Sequence, residues 1–475
     1  MEINKTTIAK SFFWKLLERF SVQFVSLGIT LVLARILGPD DYGIIALITV
    51  FISLSNVIID GGLNTALIQK KNADNRDFST IFWGSLGLAT ILYTIVFVIS
   101  PFVASYYNNN DITLVLRIYA IAIFLESINS IQRAYVSKNM LFRKLFYSSL
   151  IAIVISGIIG VVLALNHYGV WALVFQSIAL HLVTTITLWV TVRWRPECFF
   201  SFERFKALFN FGWKIFGINF LTSLYLNIRV LIIGKAYTPA TLAFFEKGHS
   251  LTSLIMQNIN TSLQTVIFPA LSAEQDNLDR VKQMVKRSSS LSSFFIFPIL
   301  VGMIVIAKPL VILLLTEKWL PAVPFIQIFS IAYLLFPMQV ANMEAIKAIG
   351  LGGTSLKIEI FKKIIETMIL VISVLINEYA IAWGVVVFNF LCLFINLYPS
   401  VKYLHYGIKE QVSDVISPLL ISITMGAIIY FLSFLPLSNF VLLTSQVILG
   451  AIIYAVLNLL FKTQCTKYLL SFIKK

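Results

Sequence analysis

Charged residues make up only 12% of these 475 residues, and acidic ones are scarcest, with 22 Asp and Glu against 37 Lys and Arg. That is about half the charge of an ordinary soluble domain, while AVILMFWYC residues reach 58%, more apolar surface than a soluble fold hides. A soluble basic nucleic-acid binder would share the net charge of +15, but its Lys and Arg would cluster on one face instead of punctuating long apolar runs. No nucleic-acid partner is expected. Three cysteines, Cys198, Cys392 and Cys465, stand far apart without CxxC spacing, which argues against a disulfide framework or a zinc site. The four His (His167, His181, His249, His405) form no metal pattern, and GxSxG, HExxH and GxxxxGK[ST] are missing. GLGGTSLK at Gly350 has the glycines of a phosphate loop but no Gly-Lys-Ser/Thr. No catalytic residue, metal or cofactor is expected, and no built-in ATPase.

What is present is a chain of apolar runs, each long enough to cross about 30 Å of hydrocarbon. Fourteen are expected, at 11–37, 41–66, 78–104, 112–136, 144–165, 169–192, 207–236, 240–270, 288–307, 322–346, 355–376, 379–402, 413–433 and 439–461. They lack the in-out alternation of barrel strands, so the fold class is an all-α integral membrane protein. Lys5, Lys10 and Lys15 precede the first run as in a signal peptide, but the run continues to about Leu37 without a small-residue cleavage site, so it reads as a retained first helix.

Lys and Arg near helix ends stay cytoplasmic. The two termini and the even-to-odd connections hold 24 of the 37, whereas the seven opposite connections hold Lys235, Lys308 and Lys318 alone. Both termini are therefore expected in the cytoplasm. The outer turns are short, such as Gly38-Pro39-Asp40-Asp41 and Asn108-Asn109-Asn110-Asp111. A membrane glycosyltransferase or polymerase would need a catalytic carboxylate near an outer segment able to hold sugars, and Asp40, Asp41 and Asp111 sit in tight turns. Only Lys308–Pro321 is longer, and its apolar middle suggests an interfacial or re-entrant helix. Most Trp, among them Trp14, Trp171, Trp319 and Trp383, fall near helix ends as interface anchors.

A weak internal duplication appears at an offset near 200. WKLLERF at Trp14 matches WKIFGIN at Trp213, GPDDYG at Gly38 matches TPATLA at Thr238, and LNTAL at Leu63 matches INTSL at Ile259. The organisation expected is an N-terminal lobe of six helices over 1–200, a C-terminal lobe of six over 201–405, and two further helices with a cytoplasmic tail over 406–475. Six is even, so the repeat is parallel.

Ten basic residues lie inside the helices, where a charge facing lipid costs about 2.5–3.5 kcal/mol even on mild scales. Helix 1 carries Lys15, Glu18, Arg19, Gln23, Ser26 and Thr30 on one side, with Arg35 near its outer end; helix 2 carries Thr49, Ser53, Asn56, Asp60 and Asn64. Helix 7 adds Asn219, Asn227 and Arg229, helix 8 adds Glu246, Lys247, Gln257 and Asn260, and helix 4 adds Glu126, Asn129, Ser130 and Arg133. Isolated Ser and Thr are expected to bond neighbouring helices. Arg19, Arg35, Arg229 and Arg133, with Gln23, Asn56, Asn219, Gln257 and Asn260, are the expected lining of a hydrated cavity. Asp60 and Glu246 are the candidates for ion or proton coupling, against the alternatives that Asp60 caps the break at Gly61-Gly62 and Glu246 pairs with Lys247. Lys362 and Lys363 are expected to snorkel to the cytoplasmic surface.

ARILGPDDYGIIALITVFISLSNVIIDGGLNTALIQKKN, from Ala34 to Asn72, resembles the opening signature of the bacterial polysaccharide transporters, the Wzx-type flippases and colanic-acid-exporter-like proteins of the multidrug/oligosaccharidyl-lipid/polysaccharide exporter superfamily. LLLTEKWLPAVPFIQI, from Leu313 to Ile328, is similar to the same family's segment before its tenth helix. Gly38, Pro39, Tyr42 and Gly43 match the family's turn after helix 1, and Asp60, Gly61 and Gly62 its helix 2 end. The resemblance implies a cargo of oligosaccharide repeat units on undecaprenyl pyrophosphate, moved across the bacterial cytoplasmic membrane for O-antigen, capsule or exopolysaccharide assembly. Hydroxyls and amides would meet the sugars, and Arg the pyrophosphate. It also implies partners in the lipid bilayer and in polysaccharide polymerase or export machinery. The superfamily leaves a lipid II flippase and a multidrug cation antiporter as alternatives.

Overall fold

The computed structural model describes residues 5–461, except the side chains of 5–9, 258–266, 269, 352 and 356. Those residues are helical with short turns, and none is in a strand. The chain divides into two compact units, 1–243 and 244–475.

The first unit contains α1 (Lys5–Ile36), α2 (Pro39–Asp60), α3 (Leu63–Gln69), α4 (Asn75–Tyr107), α5 (Asp111–Tyr119), α6 (Ile121–Lys138), α7 (Phe142–Leu165), α8 (Val170–Thr191) and α9 (Phe202–Ala236). Pro39 takes the first helical position of α2, where its missing N–H costs nothing, and Asp41 accepts the Gly38 N–H at 3.1 Å. α2 stops at Asp60 because Gly61 and Gly62 both adopt left-handed φ, 49° and 69°. The expected fourth span, 112–136, is α5 and α6 with a break at Ala120.

α9 was expected to open the second bundle. It packs instead along α2, α3 and α4 of the first unit. The reason is a close backbone contact: a Cβ on Gly62 would lie 2.2 Å from the Gly212 carbonyl oxygen. Charge reinforces it. Arg204 donates to both Asp74 oxygens at 2.7 and 2.8 Å and to Asp77 at 2.9 Å, while Lys70 binds the other Asp77 oxygen at 2.6 Å. Asp74 and Asp77 reciprocally cap the start of α4. Partial desolvation favours the protonated form of Asp74, yet hydrogen bonds from Arg204 and the Asp77 backbone N–H hold its carboxyl below the ordinary range. Part of the basic excess at these connections is thus structural. Trp194 is buried against Phe78, Phe82 and Tyr135.

α10 (Pro239–Ala273) begins in the first unit and continues in the second. Like α2 it starts on a proline, but it runs unbroken where α2 stops, having Gln257-Asn258 in place of the glycine pair. The second unit then holds α11 (Leu278–Leu315), a 3-10 turn (Glu317–Ala322), α12 (Val323–Tyr333), α13 (Phe336–Ala348), α14 (Gly352–Val374), α15 (Glu378–Leu404), α16 (Ile408–Phe431) and α17 (Asn439–Leu460). α16 and α17 both pack on α11. Lys308 to Leu315 is no separate interfacial helix but the end of α11, and Trp319 is buried against Phe244 instead of anchoring at an interface. The Lys362 ammonium lies 2.5 Å from the half-exposed Glu359 carboxylate and 3.4 Å from the buried Asn396 side-chain oxygen. Tyr406 donates to Asp414 at 2.6 Å, and burial with that contact pushes the phenol well above its usual range.

Among the described residues ten helices are long and apolar enough to cross a membrane, and α12 and α13, bent by 41°, make an eleventh. The other expected spans are helical but carry more polar residues or lie partly outside the described side chains: α5 with α6, α10, and α14 with Lys357, Glu359, Lys362, Lys363 and Glu366.

Candidate functional site

The break after Asp60 opens a cleft with polar residues along it in the first unit. Asn56 and Asp60 stand one turn apart on the same side of α2. The turn at Gly61-Gly62 then redirects the chain, so that Asn64 at the start of α3 points back and donates to both Asp60 Oδ1 and Ser130 Oγ. Facing them, α6 presents Glu126, Ser130 and Arg133 at helical spacing. These six residues line a cleft of about 230 Å³.

The charges within it are not equivalent. Arg133 pairs with Glu126 Oε1, and His181 Nδ1 of α8 lies 3.1 Å from Glu126 Oε2. The Asn129 amide holds the His181 carbonyl at 3.0 Å, fixing α6 to α8. Glu126 is therefore neutralised. Asp60 forms no ion pair among the described residues; it accepts from the Asn64 amide. Among the described residues Asn56 Oδ1 and Asn64 Oδ1 are buried without a donor, and such oxygens cost about 1–3 kcal/mol each when unsatisfied.

Of the residues singled out from the sequence, the cleft gathers Asn56, Asp60 and Arg133. It does not gather the others. Arg19 is exposed and Gln23 half-buried on α1, with Arg35 in that helix's last turn, where a cation complements the carbonyl end. On α9, Asn219 is exposed and Arg229 half-buried. Lys15 pairs with Glu18 at 2.6 Å, which also accepts from Ser149 of α7. Glu246, half-buried, and Gln257, exposed, belong to the second unit; Lys247 sits 5.2 Å above the Trp319 ring. The Asn260 side chain lies outside the described residues. The sequence did not point to His181, which stands alone between Leu180 and Leu182. The spacing of Glu126, Ser130 and Arg133 was the signal for the α6 face.

Residues 32–324, more than half of the chain, match the model of a family described as polysaccharide biosynthesis protein. The chain belongs to that family. Among curated relatives, the succinoglycan biosynthesis transport protein ExoT of Rhizobium meliloti is 23% identical over 74% of this chain and 71% of its own length. The teichuronic acid biosynthesis protein TuaB of Bacillus subtilis is 22% identical over 79% and 78%, and the lipopolysaccharide biosynthesis protein WzxC of Escherichia coli 23% over 66% and 65%. Of solved structures, the lipid II flippase MurJ in an inward closed conformation superimposes with a TM-score of 0.75 at 15% identity, covering 95% of this chain and 98% of that one. An inward-facing multidrug resistance transporter of the MATE family gives 0.59 at 16% identity over 81% and 94%. This family member therefore shares their fold.

Proposed function

We propose that this multi-pass membrane protein is a flippase that carries undecaprenyl-pyrophosphate-linked oligosaccharide repeat units across the bacterial cytoplasmic membrane by alternating access, for O-antigen, capsule or exopolysaccharide assembly. The family match over residues 32–324 carries this reading, together with relatives named for transport or synthesis of succinoglycan, teichuronic acid and lipopolysaccharide. The cargo's head group is polar and anionic and cannot cross hydrocarbon alone. In this reading Arg19, Arg35 and Arg229 meet pyrophosphate or acidic sugars, since guanidinium keeps its charge and binds such oxygens bidentately. Gln23, Asn56, Asn219, Gln257 and Asn260 meet sugar hydroxyls. Arg133, neutralised by Glu126, ranks below the other three as an anion reader. Asp60 and Glu246 are the groups proposed to couple transport to an ion or a proton.

The test is flipping of a lipid-linked oligosaccharide by the purified protein in proteoliposomes, with lipid II as the competing cargo. Arg19→Ala, Arg35→Ala or Arg229→Ala should each reduce flipping at least tenfold at normal protein level, with partial recovery in the Lys variants. Flipping of lipid II alone, or normal flipping in all three Ala variants, sinks the cargo or the arginine roles respectively.

A further inference from the structure

We propose that the cleft between α2, α3 and α6 is a sodium site, with Asp60, Asn56, Asn64 and Ser130 as its oxygen ligands. The inference deepens the coupling role given to Asp60 in the transporter reading and rests on it. Three observations converge. The first is charge: Arg133 and His181 stand on the two oxygens of Glu126, which leaves Asp60 as the one cleft carboxylate with no ion pair among the described residues. One negative charge suits a monovalent cation and is too little for a divalent one without further carboxylates.

The second is the donor count. Asn64 turns its amide N–H groups toward Asp60 and Ser130, which fixes its own carbonyl oxygen as the atom left over. Asn56 Oδ1 is in the same state. A proton on Asp60 would satisfy at most one of these oxygens. A cation satisfies both together with the carboxylate, and Ser130 Oγ, already accepting from Asn64, keeps a lone pair for it. All four are hard oxygen donors, with no sulfur or imidazole among them, which is the chemistry of the alkali and alkaline-earth ions.

The third is the backbone. The left-handed pair Gly61-Gly62 lets residues on both sides of a helix break converge on one point. α10, without a glycine pair, has no such turn.

The experiment is thermal unfolding of the purified full chain in detergent, titrating sodium chloride against choline chloride at constant ionic strength. Ligand that binds only the folded state raises the melting temperature in a saturable way. Such a rise is expected with sodium and not with choline. Asp60→Asn should abolish it. Asn56→Ala should not lower the sodium-free melting temperature, because Asn56 makes no side-chain hydrogen bond among the described residues and its buried oxygen has no donor there, and should shift the response to about tenfold higher sodium. A sodium response equal to that of choline overturns the site, as does an undiminished rise in both variants. A response to pH without one to sodium assigns Asp60 a proton and overturns it too. Because unfolding needs no cargo, sodium binding without flipping would fail the transport reading alone, and flipping without sodium binding would fail this inference alone.

Discussion

Arg204 at the start of α9 reaches the fully buried Asp77 at the start of α4, with NH1 2.9 Å from Oδ1. Asp77 receives Lys70 on its other oxygen, so one carboxylate ties three chain segments together. Removing it as Asp77→Ala strips charge-assisted hydrogen bonds worth about 1.5–3 kcal/mol. The expected result is a lower melting temperature of the detergent-solubilised protein, with a smaller drop for the more exposed Asp74→Asn.

Acid should act on the same cluster. The Asp74 carboxyl is held below its ordinary range in the folded chain, so its contribution to stability is present above about pH 4 and is lost as pH falls from there through the lower folded value. Melting curves of the parent should steepen in their decline below about pH 4. Those of Asp74→Asn should decline less over that interval; an identical decline would show that Asp74 contributes nothing.

The contact of Gly62 with Gly212 leaves no room for a side chain on either residue. Gly62→Ala adds a left-handed strain to the clash, and overpacking of this kind costs about 1–3 kcal/mol. Gly87→Ala on α4, where a Cβ meets nothing within 4 Å, is the control and should match the parent or exceed it slightly, since alanine is the better helix former. Equal melting temperatures for all three proteins would remove the contact as the reason α9 belongs to the first unit.

The pair of Arg133 and Glu126 should behave as a pair. Arg133→Ala leaves the Glu126 carboxylate with His181 alone beside it, whereas Arg133→Ala with Glu126→Gln removes that carboxylate together with its guanidinium. Protein level and melting temperature should fall in the single variant and recover in the double. A double variant as poor as the single would mean that Arg133 acts through something other than Glu126.

Orientation is read most directly by reporter fusions. A fusion after Asn109 should report outside and one after Arg204 inside, as the Lys and Arg bias requires. The reverse at either position would overturn the cytoplasmic termini.

Helices were legible because hydrocarbon-length apolar runs leave little choice of structure, although Pro39 and Pro239, expected in the turns before them, are the first residues of α2 and α10. The polar face of α6 was legible from its spacing. What could not be read was tertiary. Nothing in WKIFGIN announces that Gly212 will meet Gly62, and a lone His181 among leucines gives no sign of a carboxylate 3.1 Å away. Trp319 followed the rule for interfacial residues in sequence and broke it in space, because Phe244 offered a partner inside.

The packing of α9 on α2 also decides where this protein can be divided. Fragments separated in the loop between α8 and α9, near residue 200, would leave α9 on the fragment that lacks its packing partners α2, α3 and α4, with the Arg204 cation parted from both of its carboxylates. Fragments separated in the turn before Pro239 keep those contacts intact. Split-gene complementation, domain exchange with a relative, or placement of a tag between halves should therefore use the later turn, although the earlier loop is the longer one.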